Sequence, residues 1–405
     1  MQKVMDGVRV LEVAEYTFVP SAGAVLADWG AEVIKVEHPT RGDAQRGLLR
    51  VGGEDNTAQV NFLMEHANRG KRSIGIDIKQ PDGRALLYEL AKDCDVFLTN
   101  FLPEARQKLE IDVEHLRAAN PKIIYARGSA YGVRGPEAVK GGYDSTGFWA
   151  RGGSGMGCMR PDDPDPPPPP GPAYGDSMGG MTIAGGIAGA LFARERTGEP
   201  SVVDISLLST GVWAMGCGLT AAMLAMAGKF KPGGTAAMYM NPLVGTYKAS
   251  DGFIMLTMLQ GHVFWDDLCR HLERPELASD PRFSTPEAFS ENAETVKQEL
   301  SEMFGQRSVA EWRERLATLQ GQWAPHQNLV MLQSDPQVLA NGMLVDVDAG
   351  DGTTFKLVSN PVQFDETPPA LRKGPEAGQH TEEILLERGV AWERIAELKK
   401  SGAIN

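Results

Sequence analysis

Residues 7–37 read GVRVLEVAEYTFVPSAGAVLADWGAEVIKVE. Val8 to Ala14 is a short apolar run, Pro20 to Trp29 is a small-residue apolar stretch opened by proline and closed before Gly30, and Glu32 to Glu37 is a second apolar run. Strand, helix, strand is the reading that such punctuation supports, because proline fits a helix's first turn and glycine its end. The pattern then repeats. Ser73 to Ile78 reads as a strand, Asp82 to Lys92 as a helix, and Val96 to Thr99 and Lys122 to Ala126 as further strands. Strands alternating with helices predict an α/β fold with a Rossmann-like, doubly wound parallel sheet over the first 200 residues.

The turn after the first strand is EYTFVPSAG, which lacks the GxGxxG of a dinucleotide site. Ligands of open α/β sheets nevertheless gather beyond the carboxyl ends of the strands. Thr17, Asn100 and Phe101 occupy such places.

The chain has 405 residues, enough for two domains, and 40 basic against 53 acidic side chains give a net charge of −13. That balance argues against nucleic acid as a partner, and any polyanionic ligand must meet a local basic cluster. Cys94, Cys158, Cys217 and Cys269 form no CxxC pair, so neither a zinc ribbon nor a disulfide framework is expected. MQKVMDGVRVLEV lacks an apolar signal core and leads into a strand, which we read as an untargeted, cytoplasmic protein. Ile205 to Gly228 carries no charge and is long enough to span a bilayer, but its small residues favour a helix packed inside the protein over a membrane span.

Pro161 to Pro172 (PDDPDPPPPPGP) is an extended loop, since proline lacks the donor that helices and central strands need. After Gly228 the chain turns to Gly/Pro-rich connectors, the strand-like FIMLTML and amphipathic helices around 263–273 and 290–317, which predict a smaller α+β domain over 229–330. Strands (MLVDVD, TTFKLVS) and two helices (TEEILLERG, AWERIAELKKSG) complete the chain.

YGDSMGGM, residues 174–181, places an acid beside a hydroxyl among glycines. Gly175-Asp176-Ser177-Met178-Gly179 satisfies the G-x-S-x-G of a serine hydrolase, but that elbow needs a strand before it and PPPPPGPAY cannot supply one. His262, His271, His326 and His380 are candidate bases that no spacing distinguishes. Asp176 can be an ordinary helix N-cap. It can also be a covalent nucleophile. Gly179, Gly180, Gly185, Gly186 and Gly189 each cost roughly 1 kcal/mol in a helix interior, so the helix behind Asp176 must be approached closely by a neighbouring helix or a ligand.

Six ordered stretches carry a resemblance over nearly the whole chain: residues 7–37 with HPTRGD, NRGKRSIGIDIKQPDGR, DVFLTNFLPEARQKLEID, GGYDSTGFWARGGSG, YGDSMGGM and GQHTEEIL. Together they resemble the class III coenzyme A transferases, among them formyl-CoA and carnitine CoA-transferases, with the α-methylacyl-CoA racemases as relatives. The resemblance implies a large CoA-binding α/β domain built from both chain ends (1–228 and 331–405), the smaller domain inserted between, and an interlocked homodimer. It implies that Asp176 is the nucleophile. It places coenzyme A contacts at Thr17, Ile76, Lys79, Asn100, Phe101 and Lys108, and the active-site floor at Tyr143 and Asp144.

The implied activity moves coenzyme A, as substrate, from an acyl-CoA to a carboxylic acid, with no metal. A carboxylate ionised at neutral pH attacks the thioester. Glycine-rich loops at 152–157 (GGSGMG) or 232–234 (PGG) are candidate oxyanion donors, with ordinary turns as the plainer reading. Arg69, Lys71 and Arg72 add positive charge near Lys79, or form a solvated basic turn.

Departures from the family pattern shape the expectation. Tyr143-Asp144 lacks the imidazole that the racemases carry, which favours transfer over α-proton removal. Thr17 stands where formyl-CoA transferase has glutamine, His38 and Lys108 replace arginines, and Glu104 and Glu110 replace glycines, so formate or oxalate is not implied as acceptor. The alternatives are an acyl-CoA racemase or isomerase, a non-catalytic acyl-CoA-binding paralogue, and a serine hydrolase using Ser177.

Overall fold

Six strands, β1 (Arg9–Val13), β2 (Glu32–Glu37), β3 (Arg72–Gly75), β4 (Val96–Thr99), β5 (Ile124–Ser129) and β6 (Val202–Ser206), form one sheet. Their order is β3-β2-β1-β4-β5-β6 and every pairing is parallel. This is the doubly wound order in which the chain reverses direction between β1 and β4, opening a crevice beyond their carboxyl ends. The structure is a computed structural model that describes residues 3–48, 50–51, 54–55, 60–159, 163–229 and 241–405.

The two-residue period of the strands sorts their side chains into two cores. Leu11, Ile34, Ile74 and Phe97 face one, with Leu86, Leu87 and Leu90 of a covering helix and Ile384, Ile395 and Leu398 from the C-terminal segment. Val10, Val33, Val96 and Ile124 face the other, beneath Val19, Ala22 and Leu26 and Ile183, Ala184 and Ile187. Burial of each large aliphatic side chain stabilises this three-layer arrangement by roughly 1.5–3 kcal/mol. Helices α1 (Phe18–Asp28), α3 (Pro81–Lys92), α5 (Val113–Ala119) and α6 (Tyr174–Thr197) supply these faces, and the same unit carries the shorter α2 (Phe62–Asn68) and α4 (Pro103–Lys108). Helix α1 begins two residues before the proline that signalled it, with Pro20 inside the first turn, where its missing N–H has no intrahelical partner to lose.

The glycines at the start of α6 have a packing cause. A Cβ on Gly179 would lie 2.2 Å from Phe18 and one on Gly180 2.5 Å from Ser21, so α1 and α6 meet backbone to backbone. Nothing lies within 4 Å of a Cβ placed on Gly185 or Gly189.

The apolar stretch 205–228 is not the single buried helix expected. It ends β6 and breaks into α7 (Leu207–Ala214) and α8 (Gly216–Met226), bent by 70°. Helix α8 buries none of its residues, and Trp213 at the break is 86% exposed. Among the described residues no single helix is long and apolar enough to cross a membrane.

The chain divides into two compact units, Met1–Leu219 with Pro336–Asn405, and Thr220–Asp335. The smaller unit holds a three-stranded antiparallel sheet of Val244–Lys248, Phe253–Thr257 and Trp323–Pro325. Its core gathers Trp265, Phe304 and Trp312 from helices Gly261–His271, Ala293–Phe304 and Val309–Arg315.

Candidate active site

Beyond the carboxyl ends of β1 and β4 the larger unit opens a cavity of about 780 Å³, within the size range of ligand sites. Asp176 lines it, together with Tyr16, Asn100, Phe101, Tyr143 and Leu207. A smaller cavity of about 60 Å³ adjoins at Phe101 and is lined by Ile76, Lys79, His38 and Arg41. The expected site residues thus divide. Asp176, Asn100, Phe101 and Tyr143 share one cavity, and Ile76 and Lys79 share the next with Phe101.

The wall at Tyr16 is built from buried charge. Lys35, fully buried, holds Asp43 at 2.8 Å, Glu12 at 3.2 Å and the Ala14 carbonyl at 2.8 Å. Burial alone would lower its pKa, but Asp43, Glu12 and Glu37 outweigh burial and raise it. Asp43 in turn accepts the Tyr16 N–H at 3.0 Å, which holds Tyr16 at φ 67°. That left-handed conformation is uncommon for a bulky residue and persists where surrounding contacts over-determine it. Tyr16 then meets Tyr143 edge-on, with ring centroids 5.6 Å apart, and that neighbouring phenol, with burial behind it, raises the Tyr16 pKa.

Thr17 does not face either cavity. Its side chain is buried and donates to Gln45 at 2.6 Å, so Tyr16 takes the place at the cleft expected of its neighbour. Asn100 lines the cavity, but its carboxamide accepts the Glu15 N–H at 3.1 Å and donates to the Glu15 carbonyl at 2.6 Å. It clasps the two sides of the crevice together. Lys108 is exposed on the last turn of α4 and lines neither cavity, whereas Lys79 lines the small one and forms no ion pair among the described residues.

Asp176 sits in the first turn of α6, after Ala173, which is at φ 59° and provides no side-chain cap. The cap comes from elsewhere in the chain. Buried Asp144 accepts the Gly175 N–H at 3.1 Å, and the Tyr174 and Asp176 N–H groups also point to it. Burial raises the Asp144 carboxyl above its ordinary value against the pull of those three donors. Burial, then the neighbouring Asp144, raises the Asp176 carboxyl to about 7. An Asp176 fully ionised at neutral pH was the expectation. This environment instead leaves a substantial protonated fraction there, because two acids sharing a poorly solvated site disfavour the second charge.

Ser177 has a histidine neighbour that the sequence concealed. His66, on α2, places Nε2 2.9 Å from the Ser177 hydroxyl, which lies 2.8 Å from the Ala173 carbonyl. A hydroxyl has one proton, so donating it to Ala173 leaves the oxygen to accept from a His66 Nε2–H. Burial, with Arg69 adding to it, lowers the His66 pKa to about 4, so the ring is neutral. In this arrangement His66 is a donor to Ser177 and not its base. His380 instead accepts the Ser73 N–H, and His262, His271 and His326 belong to the smaller unit. Residues 163–173, immediately before α6, form no strand, and Pro167 accepts the Trp149 indole N–H at 2.9 Å.

A family model, CoA-transferase family III, matches residues 5–381. The chain belongs to CoA-transferase family III. It is 29% identical to a (R)-2-hydroxy-4-methylpentanoate CoA-transferase of Clostridioides difficile over 99% of both chains. It is 31% identical to a cinnamoyl-CoA:phenyllactate CoA-transferase of Clostridium sporogenes, over 98% of this chain and 96% of that one. The crystal structure of a CaiB/BaiF family protein from Brucella suis superposes with a TM-score of 0.78 at 28% identity, covering 96% of this chain and 100% of that one. This protein is therefore a CoA-transferase, and coenzyme A thioesters and carboxylic acids are its substrate classes.

Several glycines and cations of this family III chain prove structural. A Cβ on Gly152 would lie 2.2 Å from the Phe148 carbonyl and one on Gly155 2.9 Å from Trp149, so GGSGMG serves packing and lines neither cavity. The alternative loop at 232–234 lies outside the described residues. Arg69 is buried against Asp28 at 2.8 Å and Lys71 against Glu12 at 2.7 Å. Arg72 holds Glu32, Glu383 and Glu387. The NRGKR cluster is therefore neither a solvated basic turn nor a set of free phosphate ligands. It ties α1, the sheet and the C-terminal helix Thr381–Glu387 together.

Proposed function

We propose that this CoA-transferase works through a covalent aspartyl intermediate at Asp176. The observation that carries the reading is that Asp176 is the acid lining the large cavity at the carboxyl edge of the sheet. An Asp176 carboxylate oxygen attacks the donor thioester carbonyl, the C–S bond breaks, and a mixed anhydride and CoA thiolate form. The thiolate then attacks the aspartyl carbonyl, releasing the donor acid and leaving an aspartyl-CoA thioester. The acceptor carboxylate attacks that thioester, and the returning thiolate attacks the acceptor carbonyl, which frees the new acyl-CoA and the Asp176 carboxylate.

In this reading Lys79, Ile76 and the small cavity receive the nucleotide end of coenzyme A, Phe101 forms the wall shared by both cavities, and Tyr143 with Tyr16 flanks the thioester. Asp144 positions the nucleophile by capping its helix. A homodimer is part of the same proposal. Its support is the uncovered apolar surface of α7 and α8, including Trp213, Leu219 and Met223, and the open face at Gly185 and Gly189.

Oxygen bookkeeping tests the scheme. With an 18O-labelled acceptor acid, one labelled oxygen enters the Asp176 carboxyl per turnover and leaves with donor acid in later turnovers. Direct attack of the acceptor on the donor thioester would keep that oxygen off the enzyme. Incubation in deuterated water addresses a racemase: transfer leaves the α-carbon undeuterated, and wash-in there would assign α-proton removal instead.

A further inference from the structure

The chemistry of the cavity wall restricts the acids that reach Asp176. Every cation lining the large cavity already holds a carboxylate. Arg106 lies 3.3 Å from Asp112, Arg127 binds Asp204, and Lys140 lies 3.1 Å from Glu137. Glu137 also holds Arg151 at 2.8 Å, so one unit of positive charge is left over. It is carried by side chains that are 59% and 52% exposed and lie over the Tyr131 ring, at the solvent side of the cavity. The interior is acidic, with Asp176 in the wall and Asp144 close enough to repel it. Much of the remaining surface is aromatic or aliphatic, including Tyr16, Phe18, Phe101, Tyr143 and Leu207.

An acid with a second carboxylate would have to strip that group of water near Asp144 and, in the donor step, beside Asp176 as well, while the unbalanced positive charge of the lining sits at exposed Lys140 and Arg151. Burying an unpaired charge beside like charges is strongly unfavourable. An apolar or aromatic body would instead be desolvated against matching surface. We propose that the acyl groups exchanged by this enzyme belong to monocarboxylic acids with an apolar body, aromatic or branched, and that dicarboxylic acids are discriminated against. This inference rests on the transfer reading at Asp176.

The test is a competition in which the full-length protein receives 3-phenylpropanoyl-CoA as donor. Cinnamate, 4-methylpentanoate, succinate and glutarate are present at equal concentration, and the acyl-CoA products are followed by mass spectrometry. The expected result is at least a tenfold advantage in kcat/KM for each apolar monoacid over both diacids. A diacid used as well as the monoacids overturns the inference. A parallel borohydride trap with the donor alone separates the two levels. A modified Asp176 together with preference for a diacid sinks the substrate class only, whereas no transfer to any acid and no modification sinks the transfer reading and this inference with it.

Discussion

Asp144 caps the helix that carries Asp176, accepting the Gly175 N–H at 3.1 Å from 31 residues away in sequence. The same carboxylate that orders the nucleophile's backbone also raises its pKa. Positioning and ionisation are coupled through one side chain.

Asp144→Asn keeps a cap acceptor and removes the charge. Its kcat/KM profile should have an acid limb displaced to lower pH than that of the parent, while its thermal stability stays close. Asp144→Ala should lose about 1 kcal/mol of stability from the missing cap. An unmoved acid limb in Asp144→Asn would show that Asp144 is structural only.

The pH dependence of Asp176 itself follows from burial. Transfer requires the carboxylate, so kcat/KM for the acyl-CoA should climb tenfold per pH unit below about 7 and level off above it, as pH–rate profiles at several buffers will show. Stability runs the opposite way. A carboxyl with a raised native pKa contributes stability fully present below the unfolded value, near 4, and lost as pH rises through about 7. Asp176→Asn should therefore melt higher than the parent at pH 8 and close to it at pH 4.5.

Lys35 is the keystone of the Tyr16 turn. Lys35→Met leaves Glu12 and Asp43 buried with reduced compensation, and breaking a buried pair costs about 3–5 kcal/mol. Urea titration should show a loss of that size, and the acyl-CoA KM should rise as Tyr16 loses its anchor.

Ser177 should be chemically quiet. A fluorophosphonate probe should leave it unlabelled, and Ser177→Ala should retain transfer activity within about tenfold, because His66 is a neutral donor to it and no strand aims it as an elbow serine. Stoichiometric labelling would restore the hydrolase reading.

Five of the six strands were legible in the sequence as largely apolar runs bounded by turn residues, and β2 spans Glu32–Glu37 as expected from pattern alone, whereas β6, whose VVDIS carries a charge and runs straight into α7, was not read as a strand. The crevice was legible from topology, which brought Asn100 and Phe101 to its edge. Side-chain direction was not. Tyr16 and Thr17 are neighbours on one turn, and which of them faces the cleft depends on a positive φ fixed by Asp43, 27 residues away. His66 gave no signal, since its contact to Ser177 joins segments 111 residues apart. The NRGKR charges misled because burial turns surface-like residues into internal ties, which local composition does not record. The α7–α8 stretch misled because apolar composition does not say what covers a helix.

The covalent account is tested most directly by incubating the protein with an acyl-CoA, quenching with hydroxylamine or borohydride, and sequencing the peptide that contains YGDSMGGM by mass spectrometry. The account predicts modification at Asp176, dependent on the acyl-CoA and absent from Asp176→Ala. Full turnover by Asp176→Ala, or turnover by the parent with no modified peptide at any time point, would contradict it.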